Sequence, residues 1–255
     1  MRKYLIGMIV ALAGALALSS VASADVTSVG VVANITPAKQ NKKVRGPANI
    51  FFQSTDTHAG ALPCPLGTAN SPSCYAFPPS TQTTITFPKD LKFTPGNIPD
   101  CSLSRIVGQS TAGARAACAQ SIVGGGGNVQ AFSDGRKLNG VITAFNGAPS
   151  GGNPSLYLHV EFPGVATKPI LNGVFRGNVL SVQIPPVQGS VIDVFSTNLL
   201  GKRVVGKKSK KTGKAPTYAS IRCSNGKWPV SETVNYQGGK TLTDSKTYKC
   251  KQKKK

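Results

Sequence analysis

A chain of 255 residues carrying 30 Lys and Arg against 9 Asp and Glu, a formal charge of +21, is poor in the groups that most hydrolytic and metal chemistry needs. Its acids stand singly with no D-x-D cluster, which argues against the paired carboxylates of a glycosidase and the convergent oxygens of a calcium or magnesium site. Its six cysteines include no C-x-x-C pair and its two histidines stand far from them, so neither a metal nor a cofactor is expected.

The N-terminus has the layout of a secretory signal: Arg2 and Lys3, an apolar run over 5–18, and Ala22-Ser23-Ala24 at the expected cleavage point. That run is shorter than the ~20 residues of a membrane span, and no later apolar stretch is long enough to span. The reading is therefore a signal peptide over 1–24, then a single exported domain over 25–255 with no transmembrane segment. In an oxidising compartment six cysteines read as three disulfides. Each of the pairs Cys64 with Cys74, Cys101 with Cys118, and Cys223 with Cys250 brackets one compact element, and local spacing favours those pairings.

In chain order, the β-branched run 26–35 predicts a strand, 39–45 a basic connection, and 48–53 a second strand. Five prolines over 54–80 predict a long loop, since proline removes ladder donors and fixes φ. Alternating Thr with Ile and Phe over 83–87 is a strand ended by Pro88. A short helix is predicted over 102–120, with Asp100 or Ser102 as N-cap. Its apolar stripe is broken by Gly108 and Gly113, so it is expected to depend on the Cys101–Cys118 bridge. Gly124 to Gly127 read as a flexible exit from that helix.

Beyond the glycines the period is two. Leu156, Leu158, Val160 and Phe162 share one parity, and Tyr157, His159 and Glu161 the other. Leu180, Val182 and Ile184 repeat the pattern, 191–199 is a further strand, and 228–236 with 241–250 form a hairpin around Gly238-Gly239. Asn-Gly and Asp-Gly signals punctuate the region at short intervals. These features predict an all-β fold, an antiparallel two-sheet sandwich of Ig-like or jelly-roll-like type with one short disulfide-held helical insertion.

For function, the charge surplus outside the cell points to anionic partners. The candidate contacts are a basic hairpin over 202–214, with Lys202, Arg203, Lys207, Lys208, Lys210, Lys211 and Lys214, and the tail over 251–255, with Lys253, Lys254 and Lys255. An anionic envelope polymer or glycan is the expected partner. Specific nucleic-acid binding is not expected, because the 202–214 run has no aromatic for stacking. The competing readings are a secreted hydrolase built on His58 or His159, and an adhesion-like domain that binds protein through its loops. No G-x-S-x-G elbow supports the hydrolase; His159, on the polar parity of a strand, is expected at the surface. Glu232 shares a parity with Trp228, Val230, Val234 and Tyr236, where a lone carboxylate is expected to be paired or at an edge.

The stretch TITFPKDLKFTPGNIPDC, followed after a spacer by Cys118-x-x-Ser121-x-Val123-Gly124-x-Gly126, resembles secreted proteins of high-GC Gram-positive bacteria. The closing Cys223, Gly226-Lys227-Trp228 and Cys250 are similar to the terminal hairpin of that group. Lys89-Asp90 and Ala119 depart from its usual Pro-Gly and proline. The resemblance covers about half of the mature chain; it implies an exported β-sandwich and carries no activity with it.

Overall fold

The computed structural model of the chain describes residues 25–59, 78–133, 136–185, 190–201 and 217–253. The chain begins with β1 (Asp25–Thr36), the short β2 (Lys39–Gln40) and β3 (Gly46–Pro47), and β4 (Asn49–Ala59). Then come β5 (Ser80–Thr86), β6 (Leu91–Phe93) and α1 (Thr111–Ala117), which is the one α-helix among the described residues. β7 (Ile122–Ser133), β8 (Arg136–Ser150), β9 (Asn153–Glu161), β10 (Ile170–Arg176) and β11 (Val179–Gln183) form an antiparallel meander. β12 (Ser190–Leu199), β13 (Ala219–Ile221), β14 (Lys227–Tyr236), β15 (Thr241–Lys249) and β16 (Lys251–Gln252) complete the order.

The architecture is all-β and antiparallel, as alternation predicts, but its main ladder is not split into two sheets. One 11-stranded sheet runs β1-β4-β12-β7-β8-β9-β10-β11-β5-β14-β15 and curls until its two ends meet, making a near-barrel. Right-handed twist accumulated over so many strands brings the edges of an open sheet toward each other. The outer donors of the edge strand β1 are then met by side chains from β15. Asp244 Oδ2 accepts the Val31 N–H at 2.8 Å, and the Tyr248 hydroxyl oxygen accepts the Ala33 N–H at 2.7 Å. Lys240 pairs with Asp25 at the start of β1, and Val26, Val29, Val234 and Tyr236 form a small apolar cluster along the seam.

One end of the curl is capped. A three-stranded sheet, β3-β13-β6, brings Leu91, Phe93, Tyr218 and Ile221 into the same core as Ile35, Ile50 and Phe175. Phe93 lies 4.3 Å from Phe175 and 5.9 Å from Tyr218 between ring centroids. Trp228, 1 % exposed, donates its Nε1–H to the Arg222 carbonyl at 2.9 Å. The Cys223–Cys250 bridge fastens the start of β14 to the end of β15 within this cap. The opposite end, where β4, β7, β9, β11 and β14 terminate, holds cavities and is called the cavity end below.

The insertion between β6 and β7 lies across the outside of the sheet. Cys101, Ile106, Ala114 and Cys118 pack on Ile122, Phe145 and Tyr157, so in β9 every residue from Ser155 to Val160 is buried. Helix formation here is shorter than predicted over 102–120: two 3-10 turns, Leu103–Arg105 and Ala119–Ser121, flank the seven-residue α1. Ser110, not Asp100 or Ser102, caps α1 by accepting the Gly113 N–H at 3.2 Å. Asp100 instead receives the Asn146 amide at 2.8 Å. The bridge Cys101–Cys118 spans this insertion, and among the described residues no cysteine is free. Cys64 and Cys74 lie outside the described residues.

Two further expectations change. The proline-rich loop begins later than 54, because β4 continues through Ala59 in register with β1. The glycines 124–127 are not a flexible exit but part of β7, which bulges there as it pairs with β8 and β12. A Cβ on Gly124 would stand 2.0 Å from the Asn198 carbonyl oxygen, and one on Gly127 2.0 Å from that of Ser196. Glycine is required by the close approach of β12.

Candidate functional site

The connections at the capped end are strongly basic. Residues 37–48, 87–93, 222–227 and 249–253 carry Lys39, Lys42, Lys43, Arg45, Lys89, Lys92, Arg222, Lys227, Lys249, Lys251 and Lys253, with Asp90 as their single acid. Backbone bonds weld them into one surface: β16 pairs in parallel with β2, the Cys223 N–H donates to the Asn41 carbonyl, and the Lys253 N–H to that of Gln40. Asp90 is consumed internally. Its Oδ1 takes the Arg222 Nε–H at 2.9 Å, and its Oδ2 takes the Ser224 N–H and hydroxyl at 2.8 and 2.7 Å. Burial pushes its carboxyl up, but those donors outweigh burial and hold it below the ordinary carboxylate range. The face therefore presents cations without a compensating exposed acid.

A shallow groove of about 600 Å³ runs up the side of this end, with Lys89, Lys227 and Lys246 on its rim and Thr86, Ser231, Ser245 and Thr247 along it. Those hydroxyl residues are neighbours in register across β5, β14 and β15, Ser231 opposite both Thr86 and Ser245. Lysine ammoniums attract anionic oxygens, and the hydroxyls beside them donate and accept neutral hydrogen bonds.

Of the basic residues singled out in sequence, Lys253 is described, and it is exposed on this face. Lys202, Arg203, Lys207, Lys208, Lys210, Lys211, Lys214, Lys254 and Lys255 lie outside the described residues. The chain departs toward 202–216 from Gly201 and rejoins at Thr217, and Gly201 and Tyr218 are hydrogen-bonded neighbours at the capped end. Lys39, Lys42, Lys43, Lys89 and Lys92 were not named as contacts from the sequence, where 39–45 read only as a basic connection. They stand in two separate connections, 37–48 and 87–93, and only the fold brings these to one end.

His58 and His159 part company. His159 is fully buried rather than at the surface, because the insertion covers its face of β9. Its Nε2–H donates to the Gln109 carbonyl at 2.9 Å, a bond that assigns the proton to Nε2 and ties the insertion to the sheet. Nearby, Glu161 Oε2 accepts the Thr111 N–H at 2.6 Å at the start of α1, and the Thr111 donors hold its carboxyl below the usual range. His58, at the cavity end, has its Nε2 3.2 Å from Asp193 Oδ1, the imidazole-carboxylate part of a hydrolase constellation.

The acids, single in sequence, are not single in space. β4 turns Ile50, Phe52, Ser54, Asp56 and His58 inward, apolar toward the cap and polar toward the cavity end. Glu232 on β14 reaches the same interior, 1 % exposed, and neither of its carboxyl oxygens has a hydrogen-bond partner. Burial pushes Glu232 up to about 7; the Ser54 hydroxyl opposes the rise without reaching hydrogen-bond geometry, and the charges of Asp56 and Asp244 add to it. Burial likewise pushes Asp56 up to about 7, against the pull of the Tyr236 hydroxyl and with that of Asp193 reinforcing it. Glu232 is thus neither paired nor at an edge. Among the described residues no group of three or more His, Cys, Asp or Glu is arranged to hold a metal ion.

No family model matches the chain, and no curated protein matches it.

Proposed function

We propose that the chain is an exported, cationic, non-enzymatic binding module that engages anionic envelope polymers through its capped end. The observation that carries this reading is the concentration of eleven Lys and Arg in four welded connections whose single acid is already bound to Arg222 and Ser224. The 202–214 cluster and the final lysines are joined to the described chain at this same end. Two of the three expected disulfides, Cys101–Cys118 and Cys223–Cys250, support the extracytoplasmic setting.

Retention on a polyphosphate or dextran-sulfate matrix over a salt series tests the reading. Log affinity is expected to fall linearly with log salt, because bound lysines release condensed counterions. Replacing Lys39, Lys42, Lys43, Lys251 and Lys253 with alanine is expected to reduce that slope by about one for each lysine in contact. Replacing Lys137 and Lys168, away from the cap, is expected to leave it unchanged. Retention insensitive to salt, or retention that survives loss of the cap lysines together with 202–214, overturns the proposal.

A further inference from the structure

A basic protein that buries Asp56 and Glu232 close together, with half-buried Asp193 and Asp244 nearby, holds carboxyl groups where ionisation is most costly. Asp193 lies beside His58 and Lys137, and Asp244 beside Lys246. Among the described residues no ion pair involves Asp56 or Glu232, although these are the more buried, at 8 % and 1 % exposed.

Next to them the interior is not filled. A cavity of about 30 Å³ has Ser54, Asp56 and Asp193 in its wall, facing Phe52, Ile85 and Phe195. Through Ser80, Leu171, Ile184 and Ile192, which line both, it adjoins a second cavity of about 80 Å³ walled by residues such as Val129, Val160 and Phe162. The first has the polar partners that water needs; the second, lined almost wholly by carbon, is of the kind that stays dry or takes an apolar group. Together they offer an anionic pocket with an apolar extension.

We propose that this cavity end binds a small organic cation, a primary ammonium compound with a short apolar body, its nitrogen held by Asp56 and Asp193 in the wall of the polar cavity and its carbon chain lying against Leu171 and Ile184. An ammonium brings three donors and a positive charge to Asp56, which lines the polar cavity and has no ion pair among the described residues. An anion of the same shape is repelled by the acids, and a neutral alcohol leaves the charge uncompensated. Among the described residues no three His, Cys, Asp or Glu are arranged to hold a metal ion, and apolar walls would strip a hard ion of its water. The combined volume limits the ligand to a few carbons. These residues are distinct from those of the anionic-polymer face, so the two readings stand or fall separately.

Calorimetric titration of the oxidised chain with n-butylammonium, 1-butanol and butyrate tests it, at a pH above the value of about 7 at which Asp56 loses its proton. The amine is expected to saturate a single site, the alcohol to bind at least tenfold more weakly, and butyrate not to bind. Asp56→Asn is expected to weaken the amine tenfold or more and leave the alcohol unaltered. Asp193→Asn, the other acid in the cavity wall, is expected to do the same to a smaller degree, and is decisive if the first variant does not fold. Leu171→Trp, which fills the junction of the two cavities, is expected to abolish both. The proposal is overturned if the amine does not saturate, if amine and alcohol bind alike, or if folded carboxyl variants retain full affinity for the amine. In that event Asp56 and Glu232 are a proton-holding pair only.

Discussion

At the scale of single residues, Glu232 is the position where chemistry and stability meet. Its folded-state carboxyl, like that of Asp56, loses its proton only at about 7, whereas in the unfolded chain Glu and Asp ionise near 4. Between those values the folded chain holds more protons than the unfolded one, so stability falls as pH rises through roughly 4 to 7 and then levels. Glu232→Gln removes the share of this loss that Glu232 contributes. Its melting temperature is expected to match the wild type near pH 4 and to exceed it at pH 8, by a stability gain of about 1–3 kcal/mol; equal melting at both values would show that Glu232 is not held in a buried, uncompensated site. The glycines make a second residue-scale case. Gly127→Ala drives a Cβ into the Ser196 carbonyl and is expected to cost about 1–3 kcal/mol or more. Gly126→Ala meets no atom within 4 Å and bears only the strain of φ +67°, costing about 1 kcal/mol. Denaturant unfolding of the two variants separates close approach from flexibility, and equal costs would refute the close-approach account. Nothing in the string of four glycines distinguishes these roles, because the atoms that decide them belong to β12, some 70 residues further on.

At the scale of elements, alternation was legible wherever one face of a strand meets the core and the other meets water. β11 and β14 alternate in burial as their sequences alternate in polarity. It misled where a second layer covers the outside: His159 has the parity of a surface residue, yet the Cys101–Cys118 insertion lies over it. That insertion holds a helix of seven residues, too short to persist alone, so its position depends on the bridge, on Ala114 and Ile106 in the outer cluster, and on the Gln109–His159 bond. Replacing both Cys101 and Cys118 with serine is expected to cost about 3 kcal/mol, the value for a loop near this length. It should also expose His159 to acylation by diethyl pyrocarbonate, while far-ultraviolet circular dichroism keeps its strand signal, since β8 and β9 stay paired in the main ladder. Protection of His159 in the double-serine variant would mean that packing alone holds the insertion.

At the scale of the whole molecule, the charge total and the strand content were readable, but the closure of the sheet was not. Closure depends on which edges meet, and the meeting of β1 with β15 joins residues more than 200 positions apart through side chains that look unremarkable in sequence. The same long-range assembly hid the acid cluster and the basic cap. The seam carries a consequence for stability and solubility. An uncovered edge strand invites pairing with another chain, and here Asp244 and Tyr248 occupy the outward donors of β1 that such pairing would use. Removing both caps, by Asp244→Ala with Tyr248→Phe, leaves the Val31 and Ala33 N–H groups without partners, at about 1–3 kcal/mol for each buried donor. Amide exchange at Val31 and Ala33 is then expected to quicken at least tenfold, with amides of the β7–β8 ladder unchanged, and size-exclusion chromatography is expected to show concentration-dependent association. The single variant Tyr248→Phe, which keeps the Asp244 cap and the seam valines, should show the exchange effect at Ala33 alone. If neither amide responds in the double variant, the apolar cluster of Val26, Val29, Val234 and Tyr236 closes the curl without help from the side-chain caps, and the edge is protected by packing instead.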